Sequence, residues 1–177
     1  GKVGLMFIQN SVELLNHGCH ELRRTALDIV ERALTAADPY YAVKKLVHLD
    51  GERLSVGDLS YDLSERGAVY VLGAGKATLR IAQALEEILG PRITQGVIAI
   101  KQGQAHNLRY IRVIEASHPL PDETSHQAAR EAMALAQCAQ AGDLVFTAVT
   151  GGSSALLCYP AEGITLQEKR QVHELLL

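Results

Sequence analysis

Two short apolar runs, each emptying into a glycine-rich turn and then into a helix-periodic stretch, restrict this chain more than any other feature. Ala68-Val69-Tyr70-Val71-Leu72 leads into Gly73-Ala74-Gly75-Lys76, and Leu144-Val145-Phe146-Thr147-Ala148-Val149 leads into Thr150-Gly151-Gly152-Ser153-Ser154. Strands that are apolar on both faces belong to parallel sheets covered by helices on either side. Val97-Ile98-Ala99-Ile100 and Ile111-Arg112-Val113-Ile114 are two further strand candidates. Between the strands lie helical patterns: Leu79, Ala82 and Ile88, ended by Gly90-Pro91, and an alanine-rich stretch opened by Pro121-Asp122-Glu123 that reaches about Gln140. The alternation predicts an α/β fold, a three-layer doubly wound, mostly parallel sheet with helices on both faces, Rossmann-like, with ligands at the carboxyl ends of its strands.

The flanks read differently. From Ser11 to Ala37 the apolar positions Leu15, Cys19, Leu22, Ala26, Ile29, Ala33 and Ala37 recur every three or four residues, which predicts one long helix over 11–37 closed by Pro39. Residues 50–65 are rich in Gly, Asp and Ser and read as a linking segment with one short strand candidate around Leu54. Near Thr165 a last helix opens, with Leu166, Arg170, His173 and Leu177 continuing its pattern. The chain stops on Leu175-Leu176-Leu177 and starts on Gly1, so a fragment is expected, with an apolar face that favours self-association.

Composition excludes several classes. With 47% hydrophobic and 21% charged residues among 177, the chain is too apolar for disorder and too charged for a membrane protein. A chain of this length buries about 70% of its unfolded surface. The net charge of -3, without a basic face, leaves nothing to neutralise a nucleic-acid backbone. The apolar stretch from Val3 to Ile8 is too short and too interrupted for a signal peptide or a spanning helix. Cys19, Cys138 and Cys158 lack Cys-x-x-Cys or His-ligand spacing, which predicts three buried thiols in a reducing cytosol and a cytoplasmic protein.

Three segments could carry chemistry. A strand, a glycine turn and a helix leave backbone N–H groups at a helix N-terminus, where an anion is favoured, and Lys76 adds a mobile positive charge. The turn is not a Walker A loop, because Ala77 follows the lysine, and it is a poor dinucleotide fingerprint, because Thr78 holds the third glycine position. Its glycines could equally serve only to let a helix pack close. The second turn offers Gly151, Gly152, Ser153 and Ser154 as a flexible nest for an anion, or as ordinary capping. No Gly-x-Ser-x-Gly elbow supports a nucleophilic serine. In the third segment, Glu115-Ala116-Ser117-His118-Pro119-Leu120-Pro121-Asp122-Glu123, two prolines make a rigid loop that aims His118. Taken alone, Asp122 and Glu123 read as helix-dipole complementation and His118 as a structural donor. The remaining histidines lack a paired acid or cysteine and carry no assigned role.

Val-Tyr-Val-Leu-Gly-Ala-Gly-Lys-Ala at 69–77, Ser-His-Pro-Leu-Pro-Asp-Glu at 117–123, Thr-Gly-Gly-Ser-Ser-Ala-Leu-Leu at 150–157 and Ala-Glu-Gly-Ile-Thr-Leu-Gln-Glu-Lys at 161–169 occur in the order and spacing of the class II glycerate kinases, and the chain resembles that family over nearly its whole length. The family more often carries glycine where Ser117 and Ser153 stand. The resemblance implies that residues 1–177 are the N-terminal α/β domain of a two-domain kinase whose C-terminal domain is of the MOFRL type. It implies ATP-dependent phosphorylation of D-glycerate to 2-phosphoglycerate, with Mg²⁺. It places Lys76 at the transferring phosphoryl group or the glycerate carboxylate, and Gly73, Gly75, Gly151, Gly152, Ser153 and Ser154 around the substrate or phosphate. His118 and Glu115 fall at the same rim, and no metal ligand or general base is identified. The implied partner is the small molecule D-glycerate, with no nucleic acid or membrane, and a homodimer stays open. Two alternatives stand beside this reading: an NAD(P)-linked hydroxypyruvate reductase and a non-catalytic substrate-binding domain.

Overall fold

In the computed structural model, which describes residues 7–177, the N-terminal stretch is helical but not one helix; of the early apolar run, Val3 to Met6 lie outside the described residues. Helix α1 (Ser11–Leu15) stops at Asn16, and α2 (His20–Ala37) begins only after Gly18, whose φ of +58° is the left-handed region. Glycine takes that conformation without a Cβ clash. The single helix expected over 11–37 is therefore corrected, since apolar spacing runs through the break without registering it. Asp38 ends α2 and also starts α3 (Pro39–Leu46): its carboxylate accepts the Tyr40 N–H at 2.9 Å, and Pro39 takes the first helical position. Pro39 thus closes one helix and opens another.

The expected linker is a sheet. Strands β1 (Val47–Asp50), β2 (Arg53–Val56) and β3 (Leu59–Asp62) pair antiparallel in that order. Gly51 and Gly57, at φ +59° and +56°, make the two hairpin turns. Buried Val47 and Leu54 join the main core, beside Val69 and Leu79. Strands of four residues joined by glycine turns show the composition of a loop, which is why the sheet is missed in the sequence.

The larger sheet follows the expected plan. Its elements are β4 (Val69–Ala74), α4 (Thr78–Leu89), β5 (Gln95–Lys101), β6 (Ile111–Ala116), α5 (Glu123–Cys138), β7 (Leu144–Val149), α6 (Ser153–Leu156) and α7 (Leu166–Leu176). The four strands are parallel, in the order β6-β5-β4-β7. Val71, Ile98 and Ile100 share one core with Leu79, Ala82 and Leu85 of α4, whereas Val97 and Ala99 meet α5 through Leu135, Ala132 and Ala128 on the opposite face. Period-2 alternation along β5 thus feeds both outer layers, and the three-layer α/β fold is as expected. No helix joins β5 to β6. Instead Glu86 of α4 accepts the N–H groups of Arg109, Tyr110 and Ile111 at 2.8–3.2 Å and pins the loop. Of the thiols expected to be buried, only Cys158 is. Cys19, in the helix break, and Cys138, at the outer end of α5, are exposed.

Candidate functional site

The chain winds outward from β4 through β5 to β6 and then returns to place β7 on the other side of β4. Both glycine turns therefore lie side by side at the topological switch point, where open α/β sheets bind their ligands. Their contact explains Gly73 and Gly75. A Cβ on Gly73 would lie 2.9 Å from Thr78 Cγ2 and overlap the Ala148 carbonyl, and one on Gly75, at φ +142°, would overlap Thr150 Oγ1 and sit 2.7 Å from the Thr150 carbonyl oxygen. The same contact consumes donors. Gly75 N–H donates to the Ala99 carbonyl at 3.1 Å, Lys76 N–H to the Gly151 carbonyl at 2.9 Å, and Ala77 N–H to Thr150 Oγ1 at 3.1 Å. The backbone cradle expected after β4 is thus already spent on the protein, and Lys76 contributes through its exposed side chain.

The second turn keeps its donors. Among the described residues the N–H groups of Gly151, Gly152 and Ser154 have no protein acceptor, while Ser153 N–H donates to the Thr150 carbonyl at 3.3 Å. Gly152 adopts φ +92°, and a Cβ there would meet His118 Nε2 at 2.8 Å, His118 Cδ2 at 2.9 Å and Lys76 Cγ at 3.3 Å. Lys76, His118 and Gly152, far apart in sequence, are brought together. The His118-Pro119 peptide bond is cis. Burial, and then the positive charges of Lys76 and Lys101, push the His118 pKa below the usual histidine value and favour the neutral ring.

Beside this group lies a cleft of about 400 Å³. His118, Gly152 and Ser154 form one wall, and Lys169, Val172 and His173 of α7 form the other. Sequence reasoning missed Lys169 and His173. Lys169 closes the 161–169 motif and stands i,i+4 from His173, but a cation on an amphipathic helix reads by itself as a solvated face. Glu115 goes elsewhere: its carboxylate accepts Gly103 N–H at 2.9 Å and lies 3.7 Å from His106, tying down the loop after β5. Asp122 is a helix cap. Burial works against its ionisation, but hydrogen bonds from Thr124 and Ser125 prevail and hold the carboxyl below the usual range. No cluster of three His, Cys, Asp or Glu side chains suited to a metal occurs among the described residues.

A larger groove of about 590 Å³ runs between α3, α4 and residues 107–110, and several of its polar groups are engaged in structural contacts. Arg80 reaches Asp38 at 2.6 Å, Tyr40 donates to Glu87 at 2.5 Å, and Glu86 holds the loop. That groove is a packing seam between α3, α4 and the loop.

Residues 25–177 match the family described as Domain of unknown function (DUF4147). The chain is 39% identical over 157 residues to a protein named Glycerate 2-kinase from Pyrococcus horikoshii, covering 89% of this chain and 35% of that one. It is 31% identical to D-glycerate 2-kinase of Thermotoga maritima over 88% of this chain and 34% of the relative. A Putative hydroxypyruvate reductase of Agrobacterium vitis is 40% identical over 63% of this chain and 29% of its own length. Among solved structures, a Pyrococcus horikoshii protein superimposes with a TM-score of 0.73 at 40% identity, covering 82% of this chain and 33% of that chain. Glycerate kinase from Thermotoga maritima gives 0.70 at 30%, with 87% and 34% covered. The chain thus spans about a third of the length of the curated relatives it matches. No described helix is long and apolar enough to cross a membrane. With the family match running through both glycine turns, the His118 loop and α7, the chain belongs to the DUF4147 family, and it shares its α/β fold with a glycerate kinase of solved structure.

Proposed function

We propose that this domain forms one wall of a glycerate 2-kinase active site, the N-terminal domain of a two-domain enzyme that transfers a phosphoryl group from ATP to the 2-hydroxyl of D-glycerate. The observation that carries the reading is the meeting of Lys76, neutral His118 and the unpaired N–H groups of Gly151, Gly152 and Ser154 at the switch point, beside a cleft lined by no Asp or Glu side chain. Phosphoryl transfer asks mainly for positioning and for neutralisation of spread negative charge. ATP supplies the phosphoryl group. Lys76 and the second turn fit its phosphate oxygens, and neutral His118 can accept a hydrogen bond from the substrate hydroxyl. The described residues hold no cluster of three candidate metal ligands, so no residue here is assigned to Mg²⁺ and no step is routed through it. A cytoplasmic location accords with the exposed, unpaired Cys19 and Cys138.

Hydride transfer to hydroxypyruvate is less well supported. A dinucleotide pyrophosphate needs free amides after the first strand, and those of Gly75, Lys76 and Ala77 are occupied. The test is a coupled ADP-release assay on the full-length protein with Mg²⁺, ATP and D-glycerate, with the product identified by phosphorus NMR. Formation of 2-phosphoglycerate is expected. NADH oxidation dependent on hydroxypyruvate, without ADP release, would instead establish the reductase.

A further inference from the structure

We propose that Lys169 binds the substrate's carboxylate, so that two anionic groups are held at once, one in the cleft at Lys169 and one beside it at Lys76; the inference rests on reading the cleft as a glycerate kinase site. The first turn of α7 is fixed by a reciprocal cap. Thr165 Oγ1 accepts Glu168 N–H at 3.1 Å, and the Glu168 carboxylate accepts Thr165 N–H at 2.8 Å. Lys169 follows directly, its own N–H on the Thr165 carbonyl at 3.0 Å, and its half-buried side chain lines the cleft.

Two adjacent cations on this helix are treated differently. Arg170 is paired with Glu174 at 3.2 Å, whereas Lys169 has no carboxylate within 4 Å among the described residues. The charge of Lys169 reaches Cys158, where it works against the stronger effect of burial, which raises the thiol pKa. Besides Lys169 the cleft is lined by His118, His173, Ser154 and apolar residues, with no Asp or Glu side chain. An ammonium held beside apolar surface, with no counterion, favours an incoming anion.

Lys76 also borders Gly152, with its Cγ 3.3 Å from where a Cβ would stand. His118 and Gly152 are thus shared: both line the cleft with Lys169, and Gly152 also borders Lys76. A 2-hydroxy acid held by its carboxylate at Lys169 presents the adjacent hydroxyl towards His118, and Lys76 with the second turn is left to the phosphoryl group. The arrangement selects short 2-hydroxy acids.

The experiment is calorimetric titration of the full-length protein with two probes, D-glycerate and inorganic phosphate, for the wild type, Lys169→Met, Lys169→Arg and Lys76→Met. Loss of one charge-assisted contact predicts that Lys169→Met weakens D-glycerate about tenfold or more while sparing phosphate, that Lys76→Met does the reverse, and that Lys169→Arg recovers most glycerate affinity. Wild-type glycerate affinity in Lys169→Met, an equal loss for both anions, or no D-glycerate binding to the wild type overturns the proposal. The kinase reading is tested separately by wild-type turnover. Lysine-dependent glycerate binding without ADP release would leave Lys169 in place and remove the kinase, and turnover with an indifferent Lys169 would do the opposite.

Discussion

Lys76 and His118 owe their meeting to Gly152, the one position in the second turn where a side chain would displace both. Lys76→Met in the full-length protein is expected to remove about 2–4 kcal/mol of transition-state stabilisation, the loss typical of one preorganised donor, while the exposed position leaves folding intact. Comparing kcat/KM with thermal melting checks both halves. Near-normal turnover would make the turn purely structural. His118 offers a probe that needs no catalysis. Its folded pKa is depressed, so the neutral ring stabilises the fold above the unfolded value near 6.5, and that contribution is lost as pH falls through the folded pKa. A phosphate bound beside it should raise the pKa, and the His118 ring resonances titrated with and without phosphate should show an upward displacement. No displacement would separate His118 from the anion site. At this scale the motif residues were legible because glycine turns and an X-Pro loop leave a mark in sequence. The roles of Gly73 and Gly75 were not, since close packing and anion binding ask for the same residue, and only the positions of Thr150 and Ala148 decide between them.

Elements declared themselves in proportion to the continuity of their apolar pattern. The strands β4 and β5, buried under helices, and the edge strand β7 stand out as unbroken apolar runs, whereas β1 to β3 hide behind the Gly, Asp and Ser of their own turns. The break between α1 and α2 was invisible for the converse reason: Leu15, Cys19 and Leu22 keep helical spacing across a left-handed Gly18. Asp38 is the joint that holds this region. It ends α2, caps α3 and, with a side chain only 5% exposed, takes Arg80 of α4 at 2.6 Å. Burial opposes its ionisation, but the hydrogen bond from Arg80 and the Tyr40 N–H prevail, and its pKa lies below the ordinary value. The stabilisation is therefore present above the unfolded pKa of 3.8 and lost as pH falls through the folded one. Asp38→Ala removes a cap and the ion-pair partner of Arg80, which keeps its hydrogen bond to Gln83. Because Arg80 is partly solvated, we expect a loss of about 2–3 kcal/mol rather than the full cost of a buried orphan charge. Urea unfolding of the two proteins measures it, and a change below about 0.5 kcal/mol, the level of an ordinary surface substitution, would deny the joint.

At the scale of the molecule, the surface around the site is the part that looks least finished. Val145 and Val149 of the edge strand β7, and Val172, Leu175 and Leu176 of α7, are all exposed, at 44% or more. They lie on the two elements that flank the second turn and the cleft. Apolar exposure concentrated around a binding cleft marks an interaction surface, and the relatives are about three times as long as the region they share with this chain. A cleft enzyme with one wall keeps its anion turn but lacks the closure that excludes water and aligns two substrates, and alignment alone is worth roughly 7–11 kcal/mol. The described residues also lack a metal cluster. The 177-residue chain by itself is therefore expected to fold, to self-associate through the exposed valines and leucines, and to release no ADP in a glycerate-dependent manner. Sedimentation velocity and the coupled assay with Mg²⁺, ATP and D-glycerate test the two halves independently. Glycerate-dependent turnover near one per second, the low end of ordinary enzyme rates, would place the entire active site within these residues and overturn the two-domain reading.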